Sequence, residues 1–123
     1  MVNVEFNYKS GILETTFKGE IYLKEIIDYI ISTKENKSYP RILKIITDSR
    51  NANFNFTIND LEAIISENNK SLEKYDFIID AIIVDNPKET AISMLYQEIG
   101  KNVKYKFDVF NSKEAAIKWL ANN

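Results

Sequence analysis

Asp48, Ser49 and Arg50 follow the apolar run ILKIIT, Thr57 opens the stretch TIND, and Asp85 closes a second apolar run, FIIDAIIV. If both runs are strands of one sheet, Asp48 and Asp85 end successive strands and share a rim beside Asn86 and Asn111. Adjacent strands lie about 4.8 Å apart, close enough for two carboxylates to hold a magnesium ion or to accept a phosphoryl group. Acids just ahead of helix starts are also favoured by the helix dipole alone. A phospho-accepting receiver needs an adjacent acid pair after its first strand, and none is present here. The dipole is therefore the expected explanation of Asp48 and Asp85, with no metal and no cofactor expected.

The residues that are missing narrow the chemistry further. The chain has no histidine and no cysteine, which removes the imidazole base, the Ser-His and Cys-His nucleophile pairs, the usual zinc ligands and any disulfide. Lys and Arg total 16 against 18 Asp and Glu, and only Arg41 and Arg50 are arginines. No basic stripe is available to neutralise phosphates, so a nucleic-acid partner is not expected. Apolar runs fall far short of the roughly 20 residues that span a bilayer, so integral membrane association is not expected. The opening MVNVEFNYKS lacks the basic-then-apolar layout of a secretory signal, and the expected location is cytoplasmic.

The elements that would position these residues follow from hydrophobic period. VEFNYK and ILETTF flank a Ser10-Gly11 turn and predict an antiparallel hairpin. Leu23, Ile26, Ile27, Ile30 and Ile31 recur at helical spacing, predicting a helix over 22–35 that ends before Pro40. ILKIIT predicts an interior strand over 42–47, with Asp48 at its carboxyl end. Thr57 and Asp60 form a capping box for a helix to about 74. FIIDAIIVD predicts the most buried strand, over 77–85. Asn86, Pro87 and Glu89 then open a third helix that stops near Gly100. VKYKFDVF predicts a last strand, and a short helix opened by Ser112 or Asn111 carries Ala115, Ala116, Trp119 and Leu120. Trp119 is expected to anchor the core. Met94, Leu95 and Tyr96 cannot all face one way, so part of the third helix, with Ile92 and Ile99, is a candidate dimer stripe. The order is β-β-α-β-α-β-α-β-α: an α/β domain with a mostly parallel five-stranded sheet and one antiparallel strand at its start. No linker or repeat divides residues 1–123.

This layout resembles the STAS-like fold of the bacterial anti-anti-sigma factors, and more narrowly the small stand-alone bacterial domains described as SpoIIAA-like. The resemblance rests on the hairpin, on FKGEIYLKEI leading into the first helix, on ILKIITDSRN and AIIVDNP closing two strands, and on VFNSKEAAIKWL at the end. It implies a non-catalytic regulatory module that binds a protein partner or a small ligand, often as a homodimer. In the anti-anti-sigma branch a Ser or Thr at the start of the second helix is phosphorylated. Here the Asp-Ser-Ser-Gly-type motif is replaced by DSRNANFNFTIND, which leaves Thr57, and Ser49 earlier, as the candidate acceptors. Two alternatives stand beside this reading: a phospho-accepting or magnesium-assisted enzyme using Asp48 and Asp85, and a peripheral lipid-interacting module.

The segment after Asp48 carries two readings. As a loop at the carboxyl end of parallel strands, where α/β proteins place ligands, Asp48, Ser49, Arg50, Phe54, Phe56 and Thr57 would form a partner- or ligand-binding surface. As a plug, Phe54 and Phe56 fold back onto the core and Thr57 is only a helix cap.

Overall fold

The computed structural model describes residues 1–123. The chain runs through β1 (Val2–Asn7), β2 (Ile12–Tyr22), α1 (Leu23–Glu35), β3 (Ile42–Asn55), α2 (Leu61–Leu72), β4 (Phe77–Ile83), α3 (Pro87–Ile99), β5 (Tyr105–Phe110) and α4 (Lys113–Ala121), with a 3-10 turn at Ile58–Asp60 leading into α2. The five strands form one sheet in sequence order; β1 is antiparallel to β2 and the remaining pairs are parallel. This is the α/β order expected from the sequence.

The hairpin turn holds Gly11 at φ +72°, a left-handed conformation that suits glycine. At α3, the Asn86 side chain accepts from the Lys88 amide, Pro87 takes the first helical position and Gly100 follows the last turn. Ser112 caps α4 by accepting from the Ala115 amide. No helix is long and apolar enough to cross a membrane.

Helices α1, α2 and α3 cover one face of the sheet, called the inner face below, where Phe17, Ile21, Phe54 and Ile82 meet Ile26, Leu61 and Ile64. Only α4 covers the other face, packing Ala116 and Leu120 on Ile46, Ile79 and Ile83. Trp119 is half-buried there, its ring 5.4 Å from that of Phe110.

The largest departure from the sequence reading is in β3. The expected strand 42–47 followed by a loop is a single 14-residue strand ending at Asn55. Its partner β2 is longer too, reaching Tyr22. Thr16 pairs with Asp48 but Lys18 pairs with Asn51, so β3 carries one extra residue between them. Such a bulge reverses which parity of residue faces the core. Leu43, Ile45, Thr47 and Ser49 point inward before it, and Ala52, Phe54 and Phe56 after it. The Phe54 N–H donates to the Glu89 carboxylate (3.0 Å), which is 2 % exposed and tethers the strand extension to the first turn of α3.

Candidate functional site

The β3 bulge separates the expected site residues. Asp48 lies on the outer face, where its carboxylate accepts from Arg50 at 2.7 Å (Nη2) and 3.0 Å (Nε). Hydrogen bonding to that guanidinium holds the Asp48 carboxyl below the usual range. Ser49 points inward and is 2 % exposed, with no hydrogen-bond partner for Oγ. The expectation of Ser49 as a surface contact or phosphoryl acceptor is corrected by that burial. Arg50 is exposed, and Thr57 is exposed at the start of the 3-10 turn; the Asp60 carboxylate accepts from the Thr57 amide (2.8 Å) and hydroxyl (3.3 Å). Phe54 is buried and Phe56 half-buried, their rings stacked at 5.3 Å. Phe54 is therefore the plug of the two readings, and Asp48, Ser49, Arg50, Phe54, Phe56 and Thr57 do not form one surface.

Asp48 does not end its strand: it lies midway along β3, paired with Ile83, the last residue of β4, while Asp85 follows β4, and Arg50 occupies the Asp48 carboxylate. Asp85 instead lines an open groove with Asn86, Asn111 and Met94. No group of three or more Asp or Glu side chains is placed to share a metal ion. On α3, Ile92, Leu95 and Tyr96 pack toward the core, leaving Met94 and Ile99 as its exposed apolar residues, so the expected stripe is reduced to those two.

The inner face holds a feature that the sequence reading did not single out. Beneath α1, α2 and α3 lies a cavity of about 100 Å³ with a mostly apolar wall. Phe17, Phe54, Phe56 and Phe107 supply rings from the strands and from the residue after β3; Tyr29, Tyr96 and Tyr105 add three more. α2 packs on α1 and α3 packs on β5, so the two helices flank the cavity without closing tightly on each other.

One carboxyl enters this wall. Asp80 occupies the middle of β4 on the inner face, between Ile78 and Ile82, and it is the only charged side chain lining the cavity. It is half-buried there and lines the cavity. The Thr47 hydroxyl donates to Asp80 Oδ1 at 2.9 Å, and the Tyr105 hydroxyl reaches Oδ2 at 3.3 Å. Desolvation pushes the Asp80 carboxyl up to about 7, against the pull of those two hydroxyls. Burial likewise raises the phenols of Tyr29, Tyr96 and Tyr105. Tyr29 is held by Thr15 (3.0 Å), and the Tyr96 hydroxyl meets that of Tyr105 at 3.3 Å.

Ser93, on α3, completes the polar side of the wall. It is 3 % exposed, and its hydroxyl has no partner. Buried hydroxyls normally find one; this oxygen has almost no accessible surface and is not presented to the void. The signal in the sequence was a single acid inside the most apolar strand, FIIDAIIVD, where an interior position demands a partner.

Among solved structures, the fold is similar to that of an uncharacterised protein of the DUF3478 family from Shewanella loihica PV-4, described as having a SpoIIAA-like fold. The TM-score is 0.61 at 13 % identity, over 98 % of this chain and 92 % of that one. The architecture is thus SpoIIAA-like. No protein-family model and no curated protein matches the chain.

Proposed function

We propose that this protein is a non-catalytic, cytoplasmic regulatory module of STAS type that takes a small ligand with an apolar body into the cavity between the sheet and helices α1 to α3. The observation that carries the reading is the cavity itself: a mostly apolar, aromatic wall with a few polar side chains, among them a single carboxyl, Asp80. Ligand sites have this composition, apolar surface with a few convergent polar atoms. Size argues against the lipid alternative, since apolar cavities of about 150 Å³ hold one benzene and this one, at about 100 Å³, has no room for an acyl chain. The enzyme alternative has less to stand on, because Asp48 is engaged by Arg50.

Thr57 supports a second, compatible layer of control. It is exposed at the start of the segment leading into α2, where added phosphate would be favoured by the helix dipole. α2 also supplies Leu61 and Ile64 to the cavity wall, so a change at Thr57 can reach the ligand. A second copy of the chain is the proposed protein partner, with Met94 and Ile99 at the contact.

Isobutanol, a compact neutral molecule of cavity size, tests the binding reading. It should raise the melting temperature of the wild-type protein in a saturable way. Ser93→Leu, which fills the void and removes the orphan hydroxyl, should fold with unreduced stability and lose that response. If Ser93→Leu does not fold, Ile64→Phe provides the same blockade from α2. No saturable shift in the wild type, or an unchanged shift in a folded cavity-filled variant, overturns the reading.

A further inference from the structure

We infer that the cavity selects small alkylammonium ions, with Asp80 as counter-ion and the surrounding rings as the cage for the cationic end. The inference rests on the proposed binding role and names the ligand class for that site. Its first support is charge. Asp80 is the only ionisable acid or base in the wall apart from the tyrosines, and no lysine or arginine lines it. A carboxylate enclosed without a cation is costly, and two hydroxyls, one of them at 3.3 Å, are modest compensation. An ammonium group entering the cavity supplies the missing partner.

The second support is the wall. Cations are attracted to the faces of aromatic rings, and most strongly where water is excluded. Phe107 sits beside Asp80 in the sheet and Tyr29, Tyr96 and Tyr105 lie close to it, while Phe17 and Phe54 line the cavity farther along the strands. The same arrangement rejects anions: an organic carboxylate or phosphate would meet Asp80 and the negative ring faces with no positive group to hold it.

The groups facing Asp80 are Thr47 from β3, Tyr105 from β5, Tyr29 from α1 and Tyr96 from α3, while α2 contributes only the neutral Asn68 and Ser71. The three phenols are pushed upward by burial and stay neutral at physiological pH. Asp80 is then the single group titrating in the cavity near pH 7. Amine affinity should therefore rise about tenfold between pH 6 and pH 8, as the carboxylate fraction grows.

Calorimetric titration with isobutylamine, isobutanol and isobutyrate separates the outcomes. At pH 8 isobutylamine should bind at least tenfold more tightly than its neutral isostere, and isobutyrate should not bind. Asp80→Asn should erase both the amine preference and its pH dependence while isobutanol still binds. Equal or tighter binding of isobutanol at pH 8, or amine binding indifferent to pH or to Asp80→Asn, overturns the inference and leaves the binding role standing. Should neither neutral nor cationic ligand bind, the binding role falls, and this inference with it.

Discussion

Replacing Asp80 by Asn should make the ligand-free protein more stable, and increasingly so as pH rises. Burial holds the Asp80 proton up to about pH 7 in the folded protein, whereas an aspartate in water loses it near 3.8. Between those values the folded state binds more protons than the unfolded state, so stability falls as pH rises through the window and stays low above it. Three pH units at about 1.36 kcal/mol each amount to about 4 kcal/mol of lost stability at pH 8. Asn keeps the shape, can accept from Thr47 and does not titrate. Every other ionisable group is common to both proteins and cancels in the difference. Urea unfolding of both proteins should therefore show an advantage for Asp80→Asn that widens by roughly 3 kcal/mol between pH 5 and pH 8, at unchanged denaturant slope. Stability curves that run parallel over that range would refute the enclosed-carboxyl argument.

Phe54→Ala should cost about 3 to 5 kcal/mol, as for a buried ring, and Phe56→Ala roughly 1 to 2, read from chemical denaturation; equal small losses would contradict the inward turn of the strand after its bulge. Thr57→Ala removes only the exposed 3.3 Å hydroxyl bond to Asp60, keeps the amide bond, and should cost no more than about 1 kcal/mol. If Thr57 is a regulatory phosphoryl acceptor, phosphopeptide mapping of protein recovered from cells should find phosphate there and none on buried Ser49, whereas phosphate on Ser49 would contradict its inward placement. Light scattering at high micromolar concentration should give a dimer mass that Met94→Lys with Ile99→Lys reduces to monomer; a monomer mass for the wild type removes the proposed partner.

Strand and helix order was readable because each element announces itself by period: Leu23 to Ile31 at helical spacing, FIIDAIIVD as an interior run, and the Asn86-Pro87 start of α3. The strand extension to Asn55 was hidden for a specific reason. The bulge breaks the two-residue alternation between Ser49 and Ala52, so the pattern that marks a half-buried strand changes phase in the middle of DSRNANFNF. The candidate site was hidden more deeply. Asp80, Thr47, Tyr29, Tyr96 and Tyr105 come from five different elements, and only the packing of helices on the sheet brings them together. A lone acid in an apolar run signals that something must satisfy it, but not whether that partner is a hydroxyl, a cation or a bound molecule.

The central claim, that the cavity is where this protein binds, is tested most directly by a methyl-resolved NMR titration with isobutylamine at pH 8. The account predicts saturable shifts in the methyls of Ile26, Ile64, Ile82 and Ile92, which line the cavity, and none in those of Ile46, Ile83 and Ile117 on the α4 side of the sheet. Shifts confined to the α4 side, or no saturable shift among the cavity methyls, would contradict it.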